Sequence, residues 1–145
     1  MSYSSKKSNL PSAEKVGNEY WLLIPGKPSS AQARKRGAKI RLTKYKKTIR
    51  STASRIIKKR LKGRVRISLY YFHKGTDIDI DNFQKPILDS LIGIAYDDDN
   101  QVDGLHTDRY NLNTSVTIPN VTCSLIPKAL SRNKECVIIC VKPIS

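Results

Sequence analysis

Negative charge is scarce in this chain and confined to one place. Against 27 Lys+Arg there are 12 Asp+Glu, and all nine aspartates fall between Asp77 and Asp108; outside that island stand only Glu14, Glu19 and Glu135. Long apolar runs are missing too. None approaches the ~20 residues that a membrane-spanning helix needs. The N-terminal Met1-Ser2-Tyr3-Ser4-Ser5-Lys6-Lys7 carries lysines but no apolar signal core behind them. Both absences lead us to expect a cytoplasmic protein with no membrane partner, nucleoid-associated if bacterial or phage-encoded. Cysteine is sparse: the chain has three, an odd number with no CxxC spacing. Cys136 and Cys140 lie in a predicted strand, where four residues span ~13 Å, too far for a disulfide. The thiols are expected to be buried and to act as small apolar groups. No internal repeat is visible.

What is abundant is positive charge. The net charge is +15, and it is lopsided: residues 1–75 hold 21 Lys+Arg and 2 acids, residues 76–145 hold 6 Lys+Arg and 10 acids. Such a chain attracts polyanions, whose phosphates find cationic partners and release counterions on binding. The aspartate island would repel the same polyanion. A divalent metal on the carboxylates removes the conflict, since hard oxygen ligands suit Mg²⁺, with Mn²⁺ as a substitute. A basic protein with an acidic metal cradle has the parts a nuclease needs. The rival reading is a basic nucleic-acid-binding protein without catalysis, its aspartates structural.

A length of 145 residues supports one domain. Residues 1–17, polar and rich in Ser and Lys, read as a flexible basic tail, leaving 18–145 as the domain. Glu19–Pro25 reads as a strand stopped by Pro25-Gly26. A basic loop follows over 27–41, with Lys27, Lys35, Arg36, Lys39 and Arg41 as phosphate-binding candidates. Over 42–62 an apolar stripe of Tyr45, Ile49, Ala53, Ile56, Ile57 and Leu61 at helical spacing predicts a helix ended by Gly63. Lys46, Lys47 and Arg50 lie on its basic face and extend the expected DNA contact. Alternation from Arg64 to His73 predicts a strand. Ile87, Leu88, Leu91, Ile92 and Ala95 predict a second helix over 83–95, capped by Asn82 with Pro86 in its first turn. Residues 101–112 read as a strand or hairpin arm, 113–134 as irregular, and 135–144 as a final buried strand.

Asp77, Asp79 and Asp81 stand at alternate positions. If extended, all three share one face, and their mutual repulsion calls for a cation. Lys85 and Asp89 then share a helix face. The run lacks the glycine and glutamate of an EF-hand loop.

Asp79-x-Asp81-Asn82-x-x-Lys85-Pro86-x-x-Asp89-x-Leu91, followed after a short spacer by Tyr96 and Asp98-Asp99-x-Gln101-Val102, resembles the signature of the RusA family of Holliday junction resolvases. Ile24-Pro25-Gly26-Lys27-Pro28 is similar to that family's first strand and loop. The resemblance covers roughly residues 20–112. It implies an Mg²⁺-dependent endonuclease that cuts four-way DNA junctions as a homodimer. It also implies an α+β fold with a small mixed sheet and two main helices. It places acidic site residues at Asp79, Asp81 and Asp99, all three as metal ligands, and the catalytic lysine at Lys85. Asp98 matches the first acid of the family's Asp-Asp pair. The spacer before Asp98 is one residue shorter than the family pattern, so Asp97 competes with Asp99 for the third acidic role. The 113–134 stretch has no counterpart in the resemblance. Within enzymes, the alternative is a metal-dependent nuclease acting on flaps, nicks or forks.

Overall fold

The apolar run Cys136–Val141 becomes the middle of the protein. In the computed structural model, which describes residues 9–75, 80–118 and 123–144 (Ile80 and Asp81 by backbone alone), it lies in a strand buried on both faces. The described elements are β1 (Ser12–Val16), β2 (Glu19–Pro25), α1 (Arg36–Ile56), β3 (Val65–His73), α2 (Ile80–Leu91), a 3-10 turn (Asp99–Gln101), β4 (Val102–Asn111), α3 (Leu125–Arg132) and β5 (Cys136–Pro143). The strands form one mixed sheet in the order β1-β2-β5-β3-β4. β3 and β4 are parallel, joined through α2, and every other pairing is antiparallel. The fold is α+β in a single domain, as the sequence implied.

Two apolar layers sandwich the sheet. On one face Leu22, Ile24, Ile67, Leu69, Val137 and Ile139 pack under α1 and α2, which contribute Ile49, Ala53, Phe83, Ile87 and Leu91. On the other, Trp21, Leu23, Phe72, Ile138 and Cys140 pack under α3 through Leu125, Ile126 and Ala129. Each fully buried side chain of this size contributes about 1.5–3 kcal/mol. The three thiols are free and buried, as expected, and burial pushes Cys136 and Cys140 up to about 12, which keeps them protonated and inert.

Four expectations need correction. Ser12–Val16, inside the segment read as tail, pairs with β2 through a two-residue turn at Gly17-Asn18. Gly17 has φ +61°, a left-handed conformation that glycine adopts without steric cost. Backbone pairing, not an apolar pattern, makes this edge strand. Secondly, a third helix, α3, stands in the stretch read as irregular.

Thirdly, α1 begins and ends six residues earlier than its apolar stripe predicts. Its end follows from charge and tertiary pairing. Lys58, Lys59, Arg60 and Lys62 would stack like charges along a continuing helix. Instead Ile57 turns into the core, and the chain runs as a strap with Leu61 N–H donating to the Ala95 carbonyl at 2.8 Å.

Finally, α2 starts at Ile80, so Asn82 is not its cap and Pro86 lies inside the helix, not in its first turn. Asp81 is therefore part of a helical turn rather than of an extended run. Pro86 cannot donate to the carbonyl of Asn82 one turn back. That carbonyl accepts instead from Ala31 N–H at 2.7 Å. The missing bond thus docks the basic 27–35 segment onto the start of α2.

Candidate functional site

The second and third turns of α2 and the turn before β4 meet at one open pocket. It holds about 180 Å³ and is lined by Gln84, Lys85, Leu88, Asp89 and Asp99. Helical spacing puts Lys85 and Asp89 on one face, their charged groups 3.6 Å apart. Gln84 is held by a hydrogen bond from the Thr107 hydroxyl on β4. Behind the pocket the Tyr96 hydroxyl donates to the Leu88 carbonyl at 2.9 Å, fixing the chain leading into the acidic turn.

The three consecutive aspartates do three different things. Asp97 pairs with Arg60 at 3.1 Å and Lys62 at 3.0 Å; the Lys62 hydrogen bond, with help from Arg60, holds its carboxyl below the usual range. Asp98 caps the 3-10 turn, accepting from Asn100 N–H at 3.2 Å. Asp99 lines the pocket. A hydrogen bond with Asp98, and the charges of Asp98 and Asp89, raise its carboxyl pKa, with Lys85 opposing; Asp98 is lowered, first by the Asn100 N–H and then by Asp99. The pocket is therefore short of positive charge.

Gln101 ties the turn in place, an arrangement the sequence reading did not assign. Its carbonyl oxygen accepts from Asp97 N–H at 2.8 Å and Asp98 N–H at 3.1 Å, while its amide donates to the carbonyls of Leu61 and Gly63, both at 2.8 Å. The motif contained Gln101, but nothing local pointed to partners some forty residues away.

Asp77 and Asp79 lie outside the described residues. Asp81 is placed by its backbone in the first turn of α2, one turn before Lys85. Among the described residues no three His, Cys, Asp or Glu side chains form a ready metal-ligating group. Of the expected DNA-binding residues, Lys27 follows β2, Lys35 precedes α1, and Arg36, Lys39 and Arg41 occupy its first turns rather than a loop. Arg34, Arg36 and Lys39 rim an open pocket of about 350 Å³ with Ile40 and Thr43. Cations at a helix N-terminus, itself positive, make a strongly anion-attracting corner. Lys46 and Lys47 lie further along α1. Arg50 is used structurally as well: it donates to the carbonyls of Ser90 and Ile92 at 3.1 and 3.0 Å, closing the end of α2. No described helix is long and apolar enough to cross a membrane.

The acids outside the island are all engaged. Glu14 accepts from Ser124 N–H and Oγ at 3.1 and 2.9 Å. Glu19 accepts from Trp21 Nε1 at 3.1 Å, and Glu135 from Lys74 N–H at 2.9 Å.

An acidic pocket on a basic protein suits phosphodiester chemistry, and the comparison of sequences gives the class. Residues 25–119 match the family model described as endodeoxyribonuclease RusA. The chain belongs to the RusA family, whose activity is that of a Holliday junction-resolving nuclease. No curated protein sequence matches the chain. Among solved structures, the periplasmic domain of Helicobacter pylori MotB (residues 90–256) is 16% identical with a TM-score of 0.45, over 97% of this chain and 84% of that one. The cell wall anchor of the T6SS from Pseudomonas aeruginosa is 14% identical with a TM-score of 0.40, over 98% and 94%. Likenesses this slight bear on neither fold nor function.

Proposed function

We propose that this protein is an Mg²⁺-dependent endonuclease that resolves four-way DNA junctions by paired symmetric cuts, acting as a homodimer. The observation that carries the reading is the convergence of Lys85 and Asp89, from α2, with Asp99, from the turn before β4, on one pocket, in a chain of the RusA family. The donor chemistry suits a hard divalent cation: the acids all offer carboxylate oxygens, and the hydrogen bond with Asp98, together with the charges of Asp98 and Asp89, raises Asp99. Asp79, Asp81 and Asp99 are the proposed ligands. Asp97 is engaged by Arg60 and Lys62, which favours Asp99 over Asp97 as the third. When bound, the cation supplies Lewis-acid stabilisation of phosphate charge and a more acidic water.

The chain's own groups do the rest. Lys85 presents its ammonium, which only donates, to a phosphate oxygen and stabilises charge building there in the transition state. Asp89 at 3.6 Å orients that ammonium. Asp98 and Gln101 hold the backbone that carries Asp99. A two-fold dimer would present two such sites to a substrate of matching symmetry.

The test is Mg²⁺-dependent nicking of a synthetic four-way junction beside linear duplex. Asp99→Asn should abolish cutting while junction affinity stays within a few-fold, because removing a negative charge near DNA does not weaken electrostatic binding. Lys85→Ala should lose most of the rate at saturating Mg²⁺. Wild-type cutting by Asp99→Asn together with inactivity of Asp97→Asn would move the site to Asp97. Equal cutting of duplex and junction would point to a general metal-dependent nuclease.

A further inference from the structure

The strap that replaces the predicted end of α1 forms a second feature beside the acidic turn. Lys58, Lys59, Arg60 and Lys62 line an open cleft of about 630 Å³ whose wall includes Gly93 and Ile94. All four cations are exposed. Only one anion among the described residues meets them: Asp97, on Arg60 and Lys62. Among the described residues Lys58 reaches no acid, donating to the Ser54 carbonyl at 3.0 Å, and Lys59 is paired with none. The cleft therefore keeps uncompensated positive charge in a concave site.

Its position is fixed relative to the pocket. Leu61 N–H bonds to the Ala95 carbonyl, and Gln101 bonds to the Leu61 and Gly63 carbonyls, all at 2.8 Å. One short turn gives Asp97 to the strap and Asp99 to the pocket. Two residues of chain span at most ~7 Å, so the pocket and the cleft adjoin within the reach of neighbouring phosphates of one strand. A strand with a phosphate at the pocket would thus carry its neighbouring phosphates to the cleft.

We infer that the cleft formed by Lys58, Lys59, Arg60 and Lys62 is a docking site for the phosphodiester backbone flanking the cut. The inference rests on the endonuclease reading and names where that substrate's adjoining backbone lies. Lys58 and Lys59 bind phosphate directly. Asp97 holds Arg60 and Lys62 in place on the strap until phosphates share them.

The test uses the full chain in EDTA, so that binding is read without cutting, with a four-way junction titrated across a salt series. The Lys58→Gln/Lys59→Gln double variant should lose about 0.9 of log–log slope per contact removed, up to about 1.8 for two. Its affinity should fall on the order of ten- to sixtyfold at about 0.1 M salt. The Lys128→Gln/Lys134→Gln double variant, with the same charge change on α3 and in the turn after it, should bind nearly as wild type. Equal losses in the two double variants would reduce the effect to net charge and overturn the cleft. So would an unchanged slope in the first, or a loss confined to polyglutamate used as a parallel probe, which would assign the cleft to an acidic polypeptide. Wild-type protein that binds the junction but never cuts it with Mg²⁺ would defeat the nuclease reading alone, while the slope would still decide the cleft.

Discussion

Gln101 uses the full hydrogen-bonding capacity of its side chain, two acceptor and two donor bonds, on backbone groups. It thereby joins the acidic turn to the strap and sets where Asp99 stands. Gln101→Glu keeps the acceptors and loses both donors, placing a carboxylate against two carbonyls. We expect a stability loss of about 1–3 kcal/mol, the cost of leaving such groups unpaired. We also expect a rise in the Mg²⁺ concentration needed for half-maximal single-turnover cutting, measured below the variant's melting range. Reduced stability with an unchanged Mg²⁺ requirement would limit Gln101 to a structural role. At this scale the sequence was partly legible. Lys85 and Asp99 were marked by the resemblance to the RusA family, with Asp97 left as a rival to Asp99, and both Lys85 and Asp99 line one pocket. Asp97, Asp98 and Asp99 were not separable, because only the geometry of the turn gives one to a cationic strap, one to a cap and one to the pocket.

Among the elements, strands with apolar alternation were legible: β2, β3 and β5 stand within a residue of their expected bounds. The helices slid, because their ends are set by partners remote in sequence. α3 had readable signals, Ser124 before it and Asn133 after it, the latter in the left-handed conformation with φ 52°. Its N-terminal anion, however, comes from β1. Ser124 makes no side-chain cap of its own, and Glu14 accepts both its N–H and its hydroxyl. Burial alone would raise the Glu14 pKa; the hydrogen bonds from Ser124 and Cys123, with Lys128 nearby, outweigh it and lower the value. A carboxylate whose folded pKa is depressed adds stability that is present above its unfolded pKa and is lost as pH falls through the folded one. Glu14→Gln should therefore cost about 1 kcal/mol at neutral pH, as loss of a helix cap does. The gap from wild type should close under acid, and paired denaturant titrations at neutral and acidic pH would read it. A gap that persists at low pH would mean that packing, not charge, holds β1 to α3.

Over the whole molecule, the division of charge along the chain is not a division into domains. The basic half supplies β1, β2, α1 and β3, and the acidic half supplies α2, β4, α3 and β5. β5 lies between β2 and β3, so the halves interlock in one sheet. The basic strap is thereby pinned against the acidic turn, and α1 lies against α2. Cations of the strap thus stand beside the acidic turn that carries Asp99, an arrangement that under the proposed reading would draw phosphates to the rim of the pocket. If about ten such cations of a dimer meet phosphates, junction affinity should fall with a log–log salt slope near −9, losing several decades between low and moderate salt. Phosphate contacts carry no sequence information, so selectivity must come from the placing of those contacts on a branched shape. We therefore expect a clear preference for the junction over duplex at matched salt, and a solution mass by light scattering of twice the chain's 16.4 kDa. A shallow slope would mean that the cations bind something other than backbone. Equal affinity for both substrates, or a strictly monomeric active species, would remove the ground for paired cutting and leave a general basic binder of nucleic acid.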